Sequence, residues 1–98
     1  MNEKLKSLCD SIVKICAPSK IILYGCKTSQ ITGEVREVNL LVVVNDRSKE
    51  WEKELYCKLE SDFAFNLLVY CEENFKSLTC DPTSYAASIV KKGTVLYG

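Results

Sequence analysis

The sequence contains no histidine. Nucleophilic catalysis by Cys–His or Ser–His pairs is therefore excluded. None of the six cysteines, Cys9, Cys16, Cys26, Cys57, Cys71 and Cys80, forms a C-x-x-C pair. A zinc site would need four soft ligands gathered from scattered positions, so no metal framework is expected from them. The default reading is free cysteines used as small apolar residues. No apolar run approaches the roughly 20 residues that span a bilayer. An excess of either charge is also missing: 13 Lys and Arg balance 13 Asp and Glu. A broad basic face for nucleic acid is thus not indicated, though a local basic patch stays open. The opening stretch, MNEKLKSLCD, is charged and lacks a signal-type apolar core. The expectation is a soluble cytoplasmic protein with no membrane partner. No repeat, linker or low-complexity segment interrupts the chain, so residues 1–98 are expected to form a single domain.

What is present is an alternation of helical and strand patterns. Asn2 to Cys16 reads as an amphipathic helix, with Leu5, Leu8, Cys9, Ile12, Val13 and Cys16 on one side. Ala17-Pro18 ends it, because proline disfavours helix in the residue before it. Ile21 to Tyr24 and Val38 to Val44 are apolar runs of strand length. Between them, Cys26 to Gln30 reads as a short helical turn and Ile31 to Arg36 as a loop pivoting on Gly33. Ser48 is a helix-start residue before Lys49 to Glu60, whose stripe is Trp51, Leu55 and Leu59. Phe63 to Tyr70 is a third strand, and Glu72 to Leu78 a short helix anchored by Phe75 and Leu78. Asp81 as N-cap and Pro82 in the first turn open a last helix. Lys91-Lys92-Gly93 closes it, and Thr94 to Tyr97 is a final strand. The fold class is α/β (α+β): a small mixed sheet of about four strands packed by helices, in two layers.

The most informative stretch is Ile21 to Val44. A strand stops at Tyr24-Gly25-Cys26. Ten residues, Lys27 through Arg36, follow. Glu37-Val38-Asn39 then opens the run Leu40 to Val44. This layout resembles the nucleotidyltransferase superfamily of the polymerase-beta type, in its minimal single-domain form. There a strand ends in Gly-Ser and the next one opens with Asp-x-Asp. A third aspartate lies on the following strand, where this chain has Asn66. The ending, Ser88 to Tyr97, also looks like the end of such domains. The resemblance covers nearly the whole chain and implies a nucleotidyltransferase-like fold.

It further implies Mg²⁺ and a nucleoside triphosphate as cofactor and substrate. In the active family two Mg²⁺ ions, held by three carboxylates, bridge the nucleotide phosphates and the attacking oxygen. Asp-x-Asp works because residues two apart on a strand face the same way. By position, Glu37, Asn39 and Asn66 occupy the catalytic places, with Glu37 the remaining metal ligand. Gly25, Cys26 and Lys27 occupy the nucleotide-binding ones. The chemistry departs from the pattern. Asn39 and Asn66 keep an oxygen and lose the charge. Cys26 replaces a hydroxyl with a thiol. Ser29 and Gln30 stand where the family often has a basic residue and a second glycine. Three negative charges become one. A unit pair about 4 Å apart interacts by about 4 kcal/mol at an effective dielectric of about 20, and a dication doubles that before solvation is counted. Two lost carboxylates should therefore lower metal affinity by orders of magnitude. Asp62, roughly 13 Å along a strand from Asn66, is too far to substitute; Glu34 and Asp46 are no better placed.

The blander readings stand beside this one. Asparagine is depleted in strands, which favours reading Asn39 and Asn66 as relics of ligands over ordinary strand-edge residues. Glu37 reads equally as a solvated acid, Lys27 as a solvated cation and Cys26 as an inert thiol. The expectation is a catalytically degenerate scaffold serving as a nucleotide-binding or protein-partner module. Small members of the resembled family often occur with a helical partner protein in toxin–antitoxin-like pairs, and tend to homo-oligomerise. The alternative is an active metal-dependent enzyme moving a nucleotide from a nucleoside triphosphate to a protein or small-molecule hydroxyl. A third possibility is protein binding through an exposed sheet edge or the Tyr-rich C-terminus, with no nucleotide.

Overall fold

The computed structural model describes residues 3–61 and 63–98. Asn2, expected at the start of the first helix, and Asp62 lie outside the described residues. The chain runs α1 (Glu3–Cys16), β1 (Lys20–Thr28), β2 (Val35–Val44), α2 (Ser48–Lys58), β3 (Ala64–Cys71), α3 (Glu72–Cys80), α4 (Tyr85–Lys92) and β4 (Thr94–Tyr97). The strands form one sheet in the order β3-β2-β1-β4. β1 is antiparallel to β2 and to β4, whereas β2 and β3 are parallel. The expected small mixed sheet packed by helices is what forms.

β2 lies inside this sheet, and its side chains alternate between two cores. Val38, Leu40, Val42 and Val44 join Ile21 and Leu67 beneath α1 and α2. The stripe of α1 is the one the periodicity predicts: Leu5, Leu8, Cys9, Ile12 and Cys16 are buried, and Val13 is partly so. α2 adds Leu55, and Leu59 follows just past its end. On the other face, Leu41 and Val43 join Ile22 beneath Ile89 of α4, with Phe75 of α3 packed alongside. Helices thus cover both faces, which corrects the two-layer packing expected from the sequence. The reason is that Leu40 to Val44 is apolar at every position, and a strand without a polar face needs cover on both sides.

Several local boundaries differ from the sequence reading. β1 does not stop at Tyr24, and Cys26 to Gln30 is not a helical turn. The strand continues to Thr28 because residues 25–28 pair with β2, which starts at Val35 rather than Val38. The hairpin loop is closed by the Gly33 N–H donating to the Ser29 carbonyl at 2.8 Å and the Ser29 N–H donating to the Glu34 carbonyl at 2.8 Å. Gly33 has φ 73°, as a pivot requires. Ser48 does not cap α2; Arg47 holds that position with φ 53° and no side-chain cap, its guanidinium 5.7 Å over the Trp51 ring. Nor does Asp81 cap α4. Its carboxylate accepts from the Thr83 N–H at 3.0 Å and from the Thr83 hydroxyl at 2.7 Å, in a turn that delays the helix. Ser84 is the N-cap, accepting from the Ala87 N–H at 3.1 Å. Leu78 is exposed and does not anchor α3. No helix among the described residues is long and apolar enough to cross a membrane.

Cys9 and Cys16 are buried core residues, as expected; Cys71 is half-buried, and Cys26, Cys57 and Cys80 are exposed, which corrects the apolar-core reading for them. Burial pushes the Cys9 thiol up to about 11, with Asp10 adding to it, and burial pushes Cys16 up to about 11. Their unfolded counterparts ionise near the ordinary value of 9.0. The folded state therefore keeps two protons that the unfolded state releases between about pH 9 and 11, and stability falls across that window. Denaturant titrations at pH 8 and pH 10.5 should show the drop, and a Cys9→Ala, Cys16→Ala variant should flatten it. Native-state alkylation at pH 8 should mark Cys26, Cys57 and Cys80 while sparing Cys9 and Cys16 until the chain unfolds.

Candidate functional site

The sheet brings most of the sequence-derived positions together at one end of one face. Asn39 and Asn66 are direct register partners across the parallel β2–β3 pair. Lys27 is the partner of Glu37, and Gly25 the partner of Asn39, across the antiparallel β1–β2 pair. Paired residues face the same way. Gly25, Lys27, Glu37, Asn39 and Asn66 therefore share the face that carries Leu41 and Val43 farther along β2. Cys26 does not join them. Its partner is Val38, whose side chain is buried under α1 on the opposite face.

The side chains form a continuous polar row. The Asn66 amide donates to Asn39 Oδ1 at 2.9 Å and to Glu37 Oε1 at 3.4 Å. Lys27 Nζ lies 3.3 Å from Glu37 Oε2. The pair is uneven in exposure, 76% for the Lys27 side chain and 28% for that of Glu37. With one partner that open to solvent, the ion pair contributes at most about 1 kcal/mol. Its effect on charge is larger than its effect on stability: a single carboxylate is balanced by a single ammonium. At the other end of the row the Asn39 amide occupies the space beside Gly25. A Cβ built on Gly25 would meet Asn39 Nδ2 at 2.6 Å. The glycine thus makes room for Asn39, and its surface on that side is already filled.

This donor set does not fit the two divalent ions that the resemblance implies. Hard dications need oxygen ligands, usually with more than one carboxylate between them. Here one carboxylate already holds a lysine, and the Asn66 NH₂ group points at it. Among the described residues no group of three or more His, Cys, Asp or Glu side chains could hold a metal ion. The strand geometry after Gly25, with β1 continuing to Thr28, provides no helix N-terminus, so phosphate contact there would fall to side chains.

The sequence reading missed the groove beside this row. It is open, about 550 Å³ in volume, and lined by Lys27, Thr28, Arg36, Glu37 and Ala64. Two cations and a hydroxyl accompany the one acid. The sequence pattern puts Arg36 in the loop. The signal that could have found it is its position next to Glu37, since the β2 ladder begins at Val35. Next to Gly25, Tyr24 packs edge-to-face on Tyr85, with ring centroids 6.2 Å apart and planes at 84°. Burial pushes the Tyr24 phenol above its ordinary value, and Tyr85 adds to the shift.

Comparison with protein-family models, with curated proteins and with solved structures finds no match to this chain.

Proposed function

We propose that the chain is a nucleotidyltransferase-like scaffold that has lost transfer chemistry and binds the phosphates of a nucleotide without moving them. The observation that carries this reading is the charge pattern of the polar row and its groove. One carboxylate, Glu37, is neutralised by Lys27 at 3.3 Å, and Arg36 and Thr28 line the same groove. The local surplus is therefore cationic, which suits an anion more than a divalent metal. Without the metal pair the attacking and leaving oxygens of a phosphoryl centre lack the charge stabilisation that dominates such reactions. The chain then holds a nucleotide, or a partner that presents one, and leaves the chemistry undone.

Calorimetry with ATP, CTP, GTP and UTP, each with and without Mg²⁺ or Mn²⁺, tests this directly. Weak binding in the absence of metal is expected, on the order of 0.1–1 mM in Kd because few groups contact the ligand. An Arg36→Glu variant should lose it. Chromatography of the same mixtures should show the nucleotides unchanged. Tight metal-dependent binding with turnover would overturn the reading in favour of a working transferase. Absence of binding by all four nucleotides would overturn it in favour of a protein-only module.

A further inference from the structure

The polar row runs into an aromatic cluster on the same face. Alternation from Ile22 puts Tyr24 beside Leu41 and Val43. The register slip between Leu23 and Gly25 brings Gly25 onto that face as well, so Tyr24 adjoins the row at its Asn39 end. Leu68 and Tyr70 of β3 pack into the same cluster. Tyr85 opens α4, and its ring meets that of Tyr24 edge-to-face, 6.2 Å between centroids. Burial pushes the Tyr24 phenol up, and Tyr85, Tyr56 and Tyr70 each add to the shift. Four of the chain's five tyrosines therefore gather around one spot. Tyr85 is nevertheless 63% exposed. A ring that only capped the core would be covered; this one is braced by Tyr24 and leaves most of its surface to solvent. The amides beside it have capacity to spare: among the described residues, Asn39 Nδ2 donates to nothing and Asn66 Oδ1 accepts from nothing.

We infer, resting on the phosphate-binding reading above, that Tyr85, steadied by Tyr24, stacks the base of the nucleotide whose phosphates lie against Lys27 and Arg36. The order of chemistry along the face selects this ligand. Two cations line the groove at one end, the Asn39 and Asn66 amides stand in the middle, and an open aromatic ring lies at the other end. Phosphate, sugar and base follow one another in the same order. The span also suits one nucleotide lying along β1, since Lys27 and Tyr24 are three positions apart, roughly 10 Å. Inorganic phosphate or a phosphorylated side chain would use the cations and leave the ring unused. Stacking on one aromatic side chain tightens binding of a base-bearing ligand by about 5- to 150-fold in Kd. Every base has a π face, so the stack itself should favour none of the four nucleotides strongly.

Titrations followed by NMR, with dATP and with its abasic tetrahydrofuran analogue carrying the same triphosphate, test this on the full chain. The native chain should bind dATP about 5- to 150-fold more tightly than the analogue. The Tyr24 and Tyr85 ring resonances should move with dATP and stay in place with the analogue. Tyr85→Ala should weaken dATP to the level of the analogue and leave the analogue's Kd unchanged. Tyr85→Phe, which keeps the ring, should keep the tighter binding. Circular dichroism checks that these substitutions of an exposed side chain leave the fold intact. Equal binding of dATP and the analogue would overturn the stacking role and leave the phosphate-binding reading standing. A Tyr85→Ala variant that weakens both ligands alike, or a Tyr85→Phe variant as weak as Tyr85→Ala, would also overturn it. Binding of neither ligand would overturn both readings.

Discussion

A Gly93→Ala variant melts more than about 10 °C below the native chain. The expectation comes from what the added methyl would meet. A Cβ at Gly93 lies 2.6 Å from Ile22 Cγ2, 2.6 Å from the Ile89 carbonyl oxygen and 3.0 Å from the Leu23 carbonyl oxygen. Two of these three atoms are backbone, one in α4 and one in β1, so neither can rotate away. Ile22 is 1% exposed, so its side chain cannot swing out into solvent without leaving the core. Overpacking of this kind costs about 3 kcal/mol at the upper end of its usual range. The placement explains why: α4 has to turn straight into β4 while lying on β1, and only a residue without a side chain passes between them. The Gly93 N–H closes the helix by donating to the Ile89 carbonyl at 2.7 Å.

The same variant separates two roles for the glycine. The sequence places Gly93 just past the end of α4; a glycine there often adopts the left-handed conformation, at which asparagine is also tolerated. In the structure Gly93 has φ −81° and ψ 170°, ordinary extended backbone. Gly93→Asn should then be at least as damaging as Gly93→Ala. Gly33 provides the contrast. It does have φ 73°, and a Cβ there meets nothing within 4 Å. Gly33→Ala should cost only the left-handed strain of about 1–2 kcal/mol. Thermal melts of the three variants decide the matter. Gly33→Ala losing more than Gly93→Ala would refute the steric account.

Gly93 illustrates which features the sequence makes legible. Element type follows from local pattern, and the stripe of α1, the apolar run of β2 and the Glu54–Lys58 pair, 2.7 Å apart one turn along α2, are all visible that way. The features that went astray depend on a distant partner. β1 extends past Gly25 because Val35 to Asn39 are there to pair with it. The unbroken apolar run Leu40 to Val44 calls for cover on both faces, but which helices supply it, α3 and α4 on the face of Leu41 and Val43, depends on how the distant C-terminal half returns. Ser84 takes the cap from Asp81 because Asp81 is engaged by Thr83. At the candidate site, two-residue spacing puts Glu37 and Asn39 on one face, and the place of Asn66 beside them is what the family resemblance implies. The separation of Cys26 from them, the Lys27–Glu37 pair and the place of Arg36 required the hairpin register.

Restoring the two carboxylates, Asn39→Asp with Asn66→Asp, turns the row into a divalent-cation site and makes the fold depend on the cation. The geometry is already in place. Asn66 reaches Asn39 at 2.9 Å and Glu37 at 3.4 Å, so three carboxylates would converge within a few ångströms, with Lys27 paired to Glu37 and Arg36 in the adjoining groove. Without metal, mutual repulsion raises their folded pKa values above those of the unfolded chain. Protonated carboxyls satisfy the row at low pH. As pH rises through the raised values, the folded state loses stability relative to the unfolded one. Two added charges beside Glu37, discounted for the exposure of Asn66, should cost about 1–3 kcal/mol at pH 7. Mg²⁺ or Mn²⁺ at about 100 times its Kd should return about 2.7 kcal/mol by binding only the folded chain. The double variant should therefore melt lower than the native chain at pH 7, recover as the pH falls, and rise again with added Mn²⁺. The native chain should respond to neither. Adding Glu37→Ala to the double variant should abolish most of the metal response, because it removes the carboxylate that Asn66 and Lys27 both touch. If Mn²⁺ leaves the double variant unmoved, the row is not a ligand set short of two charges, and Asn39 and Asn66 are ordinary polar residues of a strand pair.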